Sequence, residues 1–511
     1  MTKKWFQIGL VSIFLLSLAL RFWGLERFNT LVFDEIYYAK FGNDYLTGVP
    51  FFDGHPPFGK LVIALGIWLG KHVPWSYEVN GLTGALMSPV AYRWMNAFTG
   101  SFIPLLVAGI AYQLSHRRSF GLIAGLFTAL DGIFIVEARY ALINQYIVIC
   151  GLLGQFLLLL ALNKKNQRRH VYLAVAGIAF GASIATKWNG LWYLLGAYSL
   201  WILAWGFEII RSLASKNETD EDYEHKLSNK AFGSQIATKY WAKADQVSSY
   251  ARISPLQNLT QLNIFHVAIY LGIIPVIIYS IIWIPHLLLD TRYNFIEVHK
   301  QILGFHERMG GNNASVHPYC AAWYKWPLMT RPMAYYYQTA QSFQDPLPVF
   351  GPPLPQGAGK VIYDVHAMGN PFLWWSGFAA IIFLCGMLVW VFVRKVVAPW
   401  VEQERLVIPL TIDTWIALYL VVNYLVNLMP WVKVIRCLFI YHYMTGVVFA
   451  FMAIAWVVDQ CIRSYRVSLR AAGVTITFLI IGAFIFWLPI YLGLPITSEA
   501  YKLRMWFTSW I

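Results

Sequence analysis

Residues 6–24 read FQIGLVSIFLLSLALRFWG, an apolar run broken only by Gln7, two serines and Arg21 near its end. About 20 such residues cross the hydrocarbon core of a bilayer as a helix, because lipid offers no partner to an unsatisfied backbone group. The run therefore predicts a membrane span. Lys3 and Lys4 precede it, no small-residue cleavage site follows and Arg21 interrupts, so the segment reads as a retained signal anchor, not a cleaved leader.

Working outward, further windows of this kind fall near 89–113, 119–138, 141–162, 171–187, 190–210, 264–289, 371–393, 406–428, 435–458 and 471–493, about eleven spans with the first. The bulk properties agree: 58% hydrophobic and 13% charged residues over 511 positions, with a mean hydropathy of +0.53, do not fit a water-exposed surface. Aromatic residues make up 17%, an excess suited to interfacial belts. The net charge of +14 includes no basic stripe interleaved with aromatics on a soluble segment, which argues against nucleic acid. Cys150, Cys320, Cys385, Cys437 and Cys461 have no CxxC spacing, and the pattern predicts neither a disulfide framework nor a zinc site.

From a cytoplasmic N-terminus, the span count puts Arg117 and Arg118, then Lys164, Lys165, Arg168 and Arg169, then Arg394 and Lys395, then Arg463, Arg466 and Arg470 on the cytoplasmic side. This is the positive-inside pattern. The expected chain is an all-α polytopic membrane protein with an external C-terminus. It divides into an N-terminal module (1–289) containing an external loop at 25–88 and a cytoplasmic loop at 211–263, a second external loop (290–370), and a C-terminal four-helix region (371–511). Loops of such length are usually functional. Residues 61–73 predict an interfacial helix within the first loop. No internal repeat is visible, which weighs against a transporter.

The chemistry gathers on the external side. Asp34 and Glu35 are adjacent carboxylates that resist joint ionisation, which keeps a base available; the alternative is that both merely solvate the loop. Residues 53–60, DGHPPFGK, hold His55 and Lys60 on a backbone fixed by two prolines with a sharp turn at Gly59, or form a rigid cap on the bundle. Arg93, Arg139, Lys187, Lys433 and Arg436 are cations on the face that the charge bias leaves poor in them. Each can snorkel to headgroups; several converging suit a phosphate. Together these residues imply a base-activated nucleophile and a phosphate leaving group. No P-loop, GxGxxG after a strand or HExxH is present.

At this point the chain resembles the protein O-mannosyltransferases, multispanning glycosyltransferases of the GT-C type. The resemblance is carried by VFDEIYYAKFGNDYLTGVPFFDGHPPFGKL (32–61), AYRWMNAFTGSFIPL (91–105), EARYALINQYIV (137–148) and ATKWNGL (185–191) in the first half, and by HPYCAAWYKWPLMTRPMAYYY (317–337), GNPFLWWSG (369–377) and PWVKVIRCLFIYHYM (430–444) in the second. It implies a GT-C fold and transfer of mannose, with inversion, from polyprenyl-phosphate mannose to Ser or Thr of secreted or membrane proteins rich in those residues. Asp34 and Glu35 become the catalytic pair, Asp34 as base and Glu35 orienting it or the acceptor. Arg139, Lys187 and Arg436 are implied to stabilise the phosphate and Arg93 to fix the carboxylate pair. His55, Lys60, His317 and Arg331 are implied in substrate binding, His366 and His442 in structure. No obligatory metal or other cofactor is expected. Residues 290–370 are too short and too unlike a MIR domain to hold one, which points to a prokaryotic plasma-membrane enzyme working on the external face. Asn144 stands where many relatives carry Asp, so no acidic role passes to it. The competing readings are another GT-C enzyme acting on a glycolipid or glycan, and a lipid-linked-sugar transporter, for which Asp131 is the conspicuous acid at membrane depth.

Overall fold

The computed structural model describes residues 1–75, 78–164, 167–216, 254–313, 315–340, 361–394 and 410–511. Most of the expected cytoplasmic loop, together with Lys165 and Lys395, lies outside the described residues. Among the described residues nine helices are long and apolar enough to cross a membrane, and a bent pair makes a tenth. They include α1 (Lys3–Phe22), α4 and α5 (Pro89–Gly100 and Ile103–Ser115, one span), α8 (Asn144–Leu162), α10 (Leu191–Lys216) and α11 (Ile264–Leu289). The rest are α13 (Pro371–Phe392), α14 (Ile412–Leu428), α15 (Met444–Arg463) and α16 (Val467–Tyr491). The expected span at 171–187 falls on α9 (Gln167–Ile184), which is not among the nine; it opens on Arg168, Arg169 and His170 and packs along α8.

The bent pair, α6 (Arg118–Ala129) and α7 (Gly132–Arg139), turns by 59° at Asp131. The cause is local. Asp131 caps α7 by accepting from the Phe134 N–H, and its other oxygen accepts from the Asn370 N–H (3.0 Å) and Trp374 Nε1 (2.8 Å). The carboxylate that sequence alone would allow to serve transport is thus tied up in fixing a helix break. Arg21 does not interrupt α1 either; it faces inward and donates to Ser17 Oγ (2.6 Å) and the Phe134 carbonyl.

α15 and α8 form the centre, with 78% and 72% of their apolar windows buried, whereas α1, α11 and α13 turn most of theirs outward at 22%. That split is expected where lipid replaces water around a packed bundle. Polar bonds cross the centre: Gln155 donates to the Tyr193 carbonyl (2.7 Å) and to Asn423 (3.2 Å), and accepts from Tyr419.

Contacts sort the connecting segments into two ends. At one end Arg117 pairs with Asp413 (2.8 Å), Arg169 donates to Gln261 (2.6 Å) and Asn258 to the Leu162 carbonyl. The other end holds α2 (Glu35–Thr47), α3 (Phe58–Gly70), α12 (Phe295–Arg308) and a small antiparallel sheet. In that sheet β1 (Met333–Ala340) pairs with β2 (Val361–Ala367), and β2 with β3 (Ile496–Thr497), in the order β1-β2-β3. The sheet departs from the all-helical expectation. β2 is buried along its whole length, so VIYDVHA shows no in–out alternation to read. Gly59 likewise makes no turn; it lies inside α3, where a Cβ would come 2.8 Å from Ile143, so it permits close helix packing.

Candidate active site

The two adjacent carboxylates have opposite surroundings. Glu35 is fully buried, takes a two-pronged bond from Arg93 (Nε 2.9 Å, Nη2 2.8 Å) and accepts the N–H groups of Val32 and Ala141, both at 2.8 Å. Arg93 spends its remaining donors on the carbonyls of Leu25, Phe28 and Thr30. The pair is a closed structural unit that fixes residues 25–35 against α4 and the start of α8. Arg93 therefore holds only one member of the carboxylate pair, and Glu35 has no face left for substrate.

Asp34 is partly open and its carboxylate accepts no hydrogen bond among the described residues, not even as the cap of α2. Burial raises its pKa from 3.8 to about 6, with Lys187 opposing the shift and Asp53 adding to it. Phe33, just before the pair, has a φ of 53°, a left-handed conformation that bulky residues rarely adopt. Its ring is held by stacking on Tyr335 at 4.0 Å.

A cleft of about 660 Å³ lies between residues 54–56, the turn 187–192, α12 and residues 431–442; Asp34 is not in its lining but interacts electrostatically with Lys187, which is. Lys187, Lys433 and Arg436 line it with Trp188, Trp192 and Trp431 and the acid Glu307, so it offers three cations and aromatic surface. Arg436 makes no ion pair among the described residues; it donates to the Cys437 carbonyl (3.0 Å). Burial holds its pKa, and that of Lys187, below the ordinary values, and Asp34 and Glu137 oppose the shift at Lys187. His55 is pushed well below 6.5 and His306 down to about 4, each chiefly by burial and further by the nearby cations.

The other residues singled out from the sequence fall elsewhere. Arg139 donates to the carbonyls of Leu20, Arg21, Trp23 and Gly24 at 2.8–3.2 Å. It closes the C-terminus of α1, where carbonyls are left without helical partners, and does not line the cleft. Lys60 pairs with Asp53 and donates to the His55 carbonyl (2.6 Å), bracing the loop that carries His55 into the cleft wall. Arg331 stacks on Tyr319 and bonds the carbonyls of Pro318, Ser509 and Ile511. His317 accepts from the Tyr319 N–H and stands edge-on to Phe439. His366 pairs with Asp364 (2.9 Å), while His442 lines the cleft and bonds the Phe439 backbone. Sequence reasoning missed His306, for which no signal existed, and Glu137, which lay in the quoted string 137–148.

Cys320 and Cys437 form a disulfide across 117 residues, with Cα atoms 5.2 Å apart, contrary to the expectation of unpaired cysteines. Spacing in sequence carried no hint because the two lie on different segments. The bond joins a lattice that holds Arg436 in place. Gly311 bridges Arg436, the Cys437 N–H donates to the Gly310 carbonyl (3.0 Å) and the Ala321 N–H to the Leu438 carbonyl (2.7 Å). Cys320→Ser is therefore expected to cost roughly 2–4 kcal/mol of stability, read as a lower unfolding midpoint. Among the described residues no group of three or more His, Cys, Asp or Glu is disposed to hold a metal ion.

Comparison with known proteins bears on this arrangement. Residues 11–288 match the family described as dolichyl-phosphate-mannose-protein mannosyltransferase, and residues 291–510 match the C-terminal four-span region of protein O-mannosyltransferase. The polyprenol-phosphate-mannose–protein mannosyltransferase of Mycolicibacterium smegmatis is 24% identical, covering 94% of this chain and 88% of its own. That of Mycobacterium tuberculosis is 22% identical, covering 99% and 92%. In structure, the Saccharomyces cerevisiae protein O-mannosyltransferase Pmt1-Pmt2 complex bound to the sugar donor superposes with a TM-score of 0.71 at 12% identity, covering all of this chain and 93% of that one. A bundle of this fold, matched to that family over more than half its length, identifies the chain as a member of the protein O-mannosyltransferases.

Proposed function

We propose that the chain moves mannose from a polyprenyl-phosphate donor to Ser or Thr hydroxyls of secreted or membrane proteins, on the external face of a prokaryotic plasma membrane, with Asp34 as the base. The observation that carries this is a partly open carboxylate with no hydrogen bond among the described residues, interacting electrostatically with Lys187 on the wall of a cleft that Lys433 and Arg436 also line, while its neighbour Glu35 is sealed. In the step proposed, the acceptor oxygen attacks C1 of the sugar and its proton passes to Asp34. The C1–oxygen bond to phosphate breaks on the opposite side, and the electron pair leaves with the phosphate. Lys187 and Arg436 meet the charge that develops there, and fixed cations in a desolvated site typically contribute more than the base does. The apolar wall of Trp188, Trp192 and Trp431 suits the first units of a polyprenyl chain. The family name and the mycobacterial relatives support mannose as the sugar and protein as the acceptor. The Cys320–Cys437 bond supports an oxidising compartment for this end of the molecule.

The test uses purified protein, polyprenyl-phosphate mannose and a Ser/Thr-rich peptide, with glycolipid and polysaccharide acceptors in parallel. The expected product is peptide heavier by one hexose per modified residue. Arg436→Ala is expected to raise the donor KM by about tenfold, the loss of one hydrogen bond to a charged group, with the peptide KM nearly unchanged. Transfer to the glycolipid or polysaccharide alone would overturn the assignment.

A further inference from the structure

Glu137, Asn144 and Lys187 form a buried chain, exposed by 0%, 5% and 5%. The Asn144 amide nitrogen lies 3.2 Å from each Glu137 carboxylate oxygen, and the Asn144 carbonyl oxygen accepts from Lys187 Nζ at 2.7 Å. Tyr335, from β1, donates its hydroxyl to Glu137. An asparagine amide has a donor end and an acceptor end, while an ionised carboxylate only accepts. Glu137 therefore turns the amide nitrogen toward itself and leaves only the amide oxygen for Lys187.

The alternative for a lysine here is clear. Its four-carbon stem is flexible, and the nearby carboxylates include Asp34. A Lys187 free to pair with Asp34 would neutralise the base and withdraw from the phosphate. The Asn144 oxygen on one side and the Tyr441 ring, 5.4 Å from Nζ, on the other hold the ammonium at the cleft wall. We infer that Glu137, acting through Asn144, is the positioning residue that aims Lys187 at the donor phosphate. This rests on the proposed role of Lys187 as a phosphate ligand. It also gives the segment 290–370 a part in donor binding, since Tyr335 closes the chain from that side.

The inference is tested by donor and peptide kinetics. Glu137→Gln preserves shape but offers an amide in place of a carboxylate, so Asn144 can reverse and present its NH2 to the ammonium. The donor KM is expected to rise about tenfold, the scale of one hydrogen bond to a charged group, with peptide KM and kcat changed far less. Adding Asn144→Asp to Glu137→Gln restores an acceptor-only group against Lys187, and the donor KM is expected to return most of the way. A purely structural Glu137 gives no such recovery, and a double variant no better than the single overturns the inference. Asn144→Leu, which leaves the Glu137–Tyr335 bond in place, serves if Glu137→Gln fails to accumulate; an unchanged donor KM there also overturns it. Lys187→Ala separates the two levels. If it leaves the donor KM unchanged, the phosphate role itself fails; if it raises the KM while Glu137→Gln and Asn144→Leu do not, only the positioning role fails.

Discussion

Asp34→Asn is expected to lower mannose transfer by about two to four orders of magnitude, the range over which a positioned general base contributes, without lowering the unfolding midpoint. The substitution keeps the size and removes the carboxylate proposed to take the acceptor proton. Stability goes the other way from activity. The folded-state pKa, about 6, lies above the ordinary 3.8, so ionisation of Asp34 opposes folding. Its contribution to stability is most favourable below 3.8 and is lost as pH rises through about 6. Asparagine cannot ionise, so at neutral pH the variant is as stable as the parent or more so. The parent's transfer rate is expected to fall as pH drops below about 6, because the base is then protonated. A variant that keeps near-full transfer, or a rate flat between pH 7 and 5, would sink the base assignment. Donor binding measured apart from turnover should persist, since removing a negative charge beside a phosphate site does not weaken it.

Arg93→Ala is expected to remove most folded protein from the membrane, and Glu35→Ala to do the same. Taking away one partner of a buried, fully bonded ion pair typically costs about 3–5 kcal/mol, a large share of a protein's net stability. Here the loss reaches further. Without Arg93 the carbonyls of Leu25, Phe28 and Thr30 lose their donor, and without Glu35 the N–H groups of Val32 and Ala141 lose their acceptor. The check is yield and unfolding midpoint in detergent, followed by kinetics on whatever survives at low temperature. Surviving Glu35→Ala protein with a normal donor KM and measurable kcat fits a structural role; a stable variant with no turnover would return Glu35 to catalysis. Loss of activity alone cannot separate Asp34 from Glu35, whereas the pairing of activity with stability can.

The membrane bundle was legible in the sequence because a span is an average over many residues. Residues 141–162 needed no neighbour to declare themselves, and α8 occupies Asn144–Leu162. Individual contacts were not. Nothing in the string EARYALIN distinguishes Arg139, which closes α1, from a phosphate ligand, because the partner carbonyls lie more than 110 residues away. Asp34 and Glu35 look alike in sequence, and what separates them is the reach of Arg93 from α4 and the N–H groups of Val32 and Ala141, which only Glu35 engages. The sheet escaped because β2 is buried along its whole length and leaves no alternation to read, while its partner β1 lies in an aromatic string, MAYYYQTA, with no turn signal tying the two.

The bond between Cys320 and Cys437 bears on when this enzyme becomes competent during its life. Arg436 precedes Cys437, and the two halves of the bond come from segments on either side of α13 and α14. The second cysteine must therefore be synthesised, delivered to the same side of the bilayer as the first and oxidised before the cation wall is locked. A chain still emerging from the ribosome holds Asp34 long before it holds a donor site. Ripening of the catalyst is thereby placed after insertion of α13 and α14, and cells short of thiol oxidants should accumulate full-length but poorly active protein.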